Sequence, residues 1–145
     1  MRVPIRRLDP DLALPVAAHP GDAGYDLRAR EPVSLAPAGG RAAVPTGISL
    51  AIPEGFCGLV LPRSGLALRH GVTCLNAPGL IDSGYRDEVK VILVNHDPAE
   101  AFAVARGDRI AQLVIARAET VEWEVVDDLD ASTRGTGGFG STGRM

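Results

Sequence analysis

Helical periodicity is almost absent from this chain. Short runs rich in Val, Ile and Leu recur instead along its length, each bounded by Gly, Pro, Asn or Asp. Apolar runs this short, punctuated this often, leave room for strands of a few residues and for little else. Strands are predicted at 3–8, 32–36, 41–46, 47–52, 56–62, 72–76, 79–82, 88–95, 102–105, 109–116 and 121–126. Their density predicts an all-β sandwich, jelly roll or barrel. One helix is expected, "SGLALRHG" at 64–71, with Ser64 as its N-cap and Gly71 as its stop. The runs "VILV" and "QLVIA" are apolar on both faces. Burial on both sides is most simply supplied to a small β domain by a large subunit interface.

A chain of 145 residues fits one domain. Its net charge of -3, with no run of like charges, argues against general nucleic-acid coating, so no nucleic acid is expected as partner. Lys90 is the one lysine beside fourteen arginines, so a local anion site here is built of guanidinium groups, whose forked donors suit phosphate oxygens. The first residues, "MRVPIRRLDPDLALPVAA", are interrupted by Asp9 and Asp11, and the apolar piece that follows is short for an export signal. No run approaches a membrane span, and a cytoplasmic protein is expected. Cys57 and Cys74 lie in apolar, strand-like runs and are expected as buried free thiols. His19, His70 and His96 are far apart and not paired with cysteine at ligand spacing, so a protein zinc site is not expected.

Four internal stretches hold polar groups in unusual places. In "NAPGLIDSGYRDEV", 76–89, Asn76, Pro78 and Gly79 predict a tight turn, read as the tip of a β-hairpin. Asp82 follows an apolar pair and stands either as a turn cap or as a general base for water. Tyr85 is either core packing or a flat wall beside a sugar ring. "LPRSGLALRHG" places Arg63 and Ser64 at a strand-to-helix junction, where exposed N–H groups suit a phosphate. "DAGYDLRA", 22–29, reads as a Gly-containing turn, in which a half-buried Asp26 needs a cation or donors. "RGDRIAQLVI", 106–115, carries Gln112 in an apolar strand, where its amide needs a partner.

The last stretch, "RGTGGFGSTG" at 134–143, reads either as a mobile tail or as a loop that closes on an anion. Its glycines imitate a phosphate-binding loop, but Ser141 stands where such a loop has lysine. Taken alone it reads first as a mobile tail, but Arg134 and Phe139 weaken that reading, since a solubilising tail needs neither a cation nor a large ring. Together the stretches offer guanidinium and hydroxyl groups, two acids, an amide and an aromatic ring, an inventory suited to a nucleoside phosphate with Mg²⁺.

The ordered series "AGYDL", "PRSGLA", "NAPGLIDSGYRDEV", "GDRIAQLVI" and "RGTGGFGSTG" closely resembles the trimeric dUTPase family over nearly the whole chain. The resemblance implies a jelly-roll-like β-barrel or sandwich subunit with one short helix. Residues 1–128 would form the β domain, and 129–145 a flexible arm that closes over a site of the homotrimer. It implies hydrolysis of dUTP to dUMP and pyrophosphate, which keeps uracil out of DNA and supplies dUMP for thymidylate synthesis. Carried over, Asp82 is the base that activates water, Asn76 and the backbone around it read the uracil edge, and Tyr85 packs on the deoxyribose. Asp26 holds waters of the Mg²⁺ shell, while Arg63, Ser64, Gly65 and Gln112 contact phosphates. Phe139 stacks on uracil, and Arg134, Gly140, Ser141 and Thr142 belong to the closing arm. Asp87 departs from the pattern, which has glycine there, and puts the local turn in question if it needs a positive φ. Two other readings are a dCTP deaminase of the same fold, although "IDSGY" lacks that branch's glutamate, and a catalytically silent trimer that senses dUTP.

Overall fold

The computed structural model describes residues 1–133 and Gly135. Eleven strands and one helix are present among them: β1 (Ile5–Arg7), β2 (Tyr25–Arg28), β3 (Val33–Leu35), β4 (Gly40–Pro45), β5 (Ile48–Leu50), β6 (Phe56–Leu61), α1 (Ser64–His70), β7 (Val72–Cys74), β8 (Gly79–Ile81), β9 (Lys90–Asn95), β10 (Phe102–Val104) and β11 (Arg109–Arg117). The all-β expectation holds, but the strands do not close into a barrel. They form a four-stranded sheet in the order β2-β11-β6-β8, a three-stranded sheet β4-β9-β7, and the two-stranded pairs β1-β5 and β10-β3. All the pairings are antiparallel.

One core joins the two larger sheets. Leu27, Val60, Ala111 and Leu113 enter it from one side, and Val44, Val72, Val91 and Leu93 from the other. The outer face of β11 is only half covered, with Val114 and Ala116 between buried and exposed, and Leu80 on β8, beyond β6 in the same sheet, is 62 % exposed. That is the two-sided apolar character read from "QLVIA". Among the described residues the one polar side chain with no exposure at all, Asn95, is satisfied locally: its amide donates to Leu35 O and Glu100 O, and its Oδ1 accepts from the Asp97 N–H.

Four local expectations are corrected. Residues 121–126 form no strand; Trp123 and Val125 are 85 % and 96 % exposed, because alternation specifies a face but supplies no edge to pair with. "YDLR" is a strand, not a turn. The turn at Asn76 does not tip a hairpin, since β7 pairs with β9 and β8 with β6, so the segment crosses between sheets. In α1 the N-cap position belongs to Arg63, with no side-chain cap bond, and Ser64 is the first helical residue; Gly71 ends the helix in the left-handed conformation as expected. No helix among the described residues is long and apolar enough to cross a membrane.

Both cysteines are free; Cys74 is buried, whereas Cys57 is only half-buried. Burial pushes the Cys74 thiol from 9.0 up to about 11. The unfolded chain releases this proton near pH 9.0, while the folded chain keeps it until about pH 11, so stability falls as pH rises through that window. Denaturation midpoints measured from pH 8 to 11 are expected to fall less steeply for Cys74→Ala than for the parent; equal slopes would count against the shift.

Candidate active site

Strand register assembles one half of the site. Asp26 on β2 lies opposite Gln112 on β11, which lies opposite Leu61 on β6. Antiparallel partners share a face, so Asp26 and Gln112 point away from the core face that Leu27, Ala111 and Leu113 occupy. By alternation alone Arg109 would fall on that core face, in step with Ala111 and Leu113. A bulge between Arg109 and Ala111 shifts the register and sets Arg109 opposite Arg28, on the Asp26 side.

The result is a carboxylate between two guanidinium groups. Asp26 is 5 % exposed; Arg109 Nη1 donates to its Oδ2 at 3.1 Å, and Arg63 Nε lies 3.2 Å from its Oδ1. The Arg63 contact is charge against charge without hydrogen-bond alignment, and Oδ1 has no donor among the described residues. Arg63 Nη1 also donates to Arg109 O at 3.2 Å, tying the start of α1 to β11. Gln112 lies over Gly24, where a Cβ would come within 3.2 Å of its Cδ and Nε2, and its amide makes no hydrogen bond among the described residues. The Arg69 guanidinium folds back over Gly65, 2.8 Å from where a Cβ would sit. A cleft of about 270 Å³ opens here, lined by Arg63, Asp108 and Arg109 with Leu66 and Phe102. Another of about 540 Å³, lined by Met1, Val3, Ile5, Leu14 and Ile115, is apolar and holds none of the expected site residues.

Asn76, Asp82 and Tyr85 make up a second group. Gly79 is buried at the start of β8, and a Cβ there would lie 3.3 Å from both Asn76 Nδ2 and Val60 Cβ, so the amide sits close over bare backbone. Asp82 is exposed just past β8, and its carbonyl accepts the Tyr85 N–H at 3.1 Å. Tyr85 is 42 % exposed and donates its hydroxyl to Glu88 O at 3.0 Å, which excludes the core-packing reading. Asp87 does not have a positive φ; Ala38 is the described non-glycine residue that does. The turn therefore accepts aspartate without strain, and Asp87 Oδ1 takes the Glu88 N–H at 2.7 Å.

The chain does not bring the two groups together. Ile81 pairs with Gly58, so Asp82 falls beside Cys57, six residues from Arg63 along β6 and its continuation. At about 3.3 Å per residue that is roughly 20 Å. Arg134, Phe139, Gly140, Ser141 and Thr142 lie outside the described residues. Reading the sequence missed Arg109 and Arg69. The charge requirement of a buried Asp26 pointed to some cation, but without β2 as a strand there was no register to select Arg109, and no apolar pattern announces the bulge.

The fold and this first cluster define a small β-sheet protein that gathers guanidinium groups around a buried acid. The family model of the dUTPases matches residues 11–143. The chain is 61 % identical over 143 residues to the deoxyuridine 5'-triphosphate nucleotidohydrolase of Thermobifida fusca, covering 99 % of this chain and 79 % of that one. It is 54 % identical over 142 residues to that of Corynebacterium glutamicum, covering 98 % and 95 %. Among solved structures, the dUTPase of Staphylococcus bacteriophage 80alpha with dUPNHPP is similar at a TM-score of 0.86 and 28 % identity, covering 98 % of each chain. A variant of the dUTPase from phage phi11 of S. aureus, in which a structural Mg(II) ion is coordinated, is similar at 0.79 and 26 %, covering 88 % of this chain and 98 % of that one. The chain belongs to the dUTPase family.

Asp26→Asn removes the charge shared by two guanidinium groups. Charge-assisted bonds are worth about 1.5–3 kcal/mol, and the solvent access of Arg63 and Arg109 places this loss near about 1–2 kcal/mol. A urea midpoint lowered accordingly at unchanged m-value is expected; an unchanged midpoint would mean that the triad contributes nothing to folding.

Proposed function

We propose that this chain hydrolyses dUTP to dUMP and pyrophosphate by in-line attack of water on the α-phosphorus, at a site shared between subunits of a homotrimer. As a dUTPase-family enzyme it acts on dUTP. The observation that carries the shared site is the separation of the two residue groups. The turn at Asn76 and the carboxylate of Asp82 bracket β8, about 10 Å long, comparable with the span of a nucleoside monophosphate from base edge to phosphate. In this reading Asn76 and the backbone around it read the uracil, Tyr85 flanks the deoxyribose, and Asp82 takes a proton from the attacking water. The β- and γ-phosphates extend beyond that span and need cations that the same chain holds some 20 Å away. Arg63 of a second copy supplies the charge, with Ser64, Gly65 and Gln112 as neutral phosphate contacts, and half-covered Val114 with exposed Leu80 supports contact between copies.

The donor set also suits Mg²⁺. The ion is held mainly by the triphosphate and keeps several waters, so a single carboxylate binding those waters is sufficient protein support. Asp26 Oδ1, buried and without a hydrogen-bond donor among the described residues, is an acceptor of that kind. When bound, Mg²⁺ neutralises charge on the pyrophosphate leaving group. Arriving phosphates compete with Asp26 for Arg63 and Arg109, which frees the carboxylate as it is needed. Residues 129–145 act as the lid, with Arg134, Gly140, Ser141 and Thr142 on the phosphates and Phe139 on the uracil; closure excludes water other than the nucleophile. A dCTP deaminase is not favoured, since "IDSGY" offers Asp82 without a glutamate.

Pyrophosphate release with Mg²⁺ is expected from dUTP and far less from dCTP, dTTP or UTP. Asp82→Asn should lower kcat by on the order of 10² to 10⁴ with the fold intact. Tight dUTP binding without release by the parent would move the chain to the sensing reading. Ending the chain before Arg134 should suppress turnover while leaving a trimer in sedimentation; undiminished kcat would remove the lid from the mechanism.

A further inference from the structure

A linked set of charges, none of them assigned a role at the nucleotide, converges behind the Tyr85 loop. The Glu88 carboxylate is 13 % exposed, accepts the Gly47 N–H at 2.7 Å and lies 3.3 Å from Arg30 Nη1. Arg30 Nε in turn lies 4.0 Å from Asp9, which Arg106 grips through both carboxylate oxygens at 2.8 and 2.9 Å. Gly47 sits in the middle with φ +72°, its carbonyl accepting Leu8 N–H at 2.7 Å; a Cβ there would meet Asp9 Cβ at 3.0 Å. Two acids and two arginines, from four separate segments, thus lock one backbone junction.

What they lock is the footing of the loop. Val89 is fixed beside Glu88 by Thr46, whose N–H and hydroxyl both donate to Val89 O, and by its own N–H donating to Ile48 O at 2.9 Å. The Tyr85 hydroxyl donates to the carbonyl of Glu88 itself. Among the described residues the other hydrogen bonds of the loop are internal: Tyr85 N–H to Asp82 O, the Arg86 guanidinium to Ser83 O and Tyr85 O, and Glu88 N–H to Asp87 Oδ1. The position of the Tyr85 ring relative to the body of the domain therefore depends on Glu88.

We propose that Glu88, held by the Gly47 N–H and Arg30, is a positioning residue that sets the depth of the Tyr85 ring and so the discrimination between a 2'-deoxyribose and a ribose. This rests on the reading of Tyr85 as the wall beside the sugar. Glu88 touches no substrate; it acts through the carbonyl that Tyr85 binds.

The test compares the full-length parent with Glu88→Ala, Glu88→Gln, Tyr85→Phe and the Glu88→Ala/Tyr85→Phe double variant, measuring Tm and the kcat and KM of pyrophosphate release from dUTP and UTP. Glu88→Ala is expected to raise KM for dUTP roughly 3- to 10-fold with kcat changed less, and to narrow the dUTP-over-UTP ratio of kcat/KM. Glu88→Gln keeps an acceptor for Gly47 and should recover most of that ratio. Tyr85→Phe, which removes the hydroxyl alone, should narrow it too, and the double variant should do no more than the larger single one, because both act on one contact. A lower Tm with KM and the ratio at parent values would make Glu88 a structural ion-pair partner and nothing more. Should Glu88→Ala fail to fold, an unchanged ratio in Tyr85→Phe overturns the proposal by itself. A parent that releases no pyrophosphate from dUTP overturns the enzymatic reading as well; an active parent whose selectivity no variant alters overturns the positioning role alone.

Discussion

A buried carboxylate cannot stay charged without compensation, and the arrangement around Asp26 follows from that constraint. Two guanidinium groups meet it, one from the entry to α1 and one from β11. Their convergence requires β2, β11 and β6 to be neighbours and requires the bulge that turns Arg109 out of the core. The same pairing holds both guanidinium groups in place; in the proposed reading, part of the ordering cost of binding phosphate is thereby met in folding. In that reading an incoming triphosphate would exchange one anionic partner for another instead of drawing solvated side chains into position.

The second group is organised on a different principle. Asn76 stands on the crossing from β7 to β8, and Asp82 and Tyr85 on that from β8 to β9, exposed connections where mobility is the default. Rigidity comes from both ends: β8 is paired to β6 before Asp82, and Glu88 and Val89 are bonded to the 46–48 segment after it. Asp82 and Tyr85, the proposed base and sugar wall, are thus carried by six residues stretched between two fixed points. A loop so held is anchored at both ends while Asp82 and Tyr85 stay exposed.

Much of this was legible in the sequence. Short apolar runs between turn residues gave the strands, and polar residues in otherwise apolar or glycine-bounded stretches marked Asp26, Gln112, Asn76 and Asp82. Where the reading failed, the cause was the absence of information about partners. "YDLR" looked like a turn because glycine and aspartate precede it, yet β11 recruits it as an edge strand. "VEWEVV" alternates as a strand should, yet no edge within the described residues receives it. Glu88 was not singled out in the sequence, since nothing in its neighbours reveals Gly47 or Arg30.

By itself the sequence determined the strand-rich class, the use of arginine in place of lysine, and the ordered motifs of the dUTPase family, because these depend on residue type and local spacing. Tertiary structure decided which face Arg109 occupies, that Asp87 sits without backbone strain, and that Asp82 and Arg63 lie at opposite ends of one sheet. Those properties belong to register, and register is fixed by pairings between segments far apart in the chain, which no local pattern encodes.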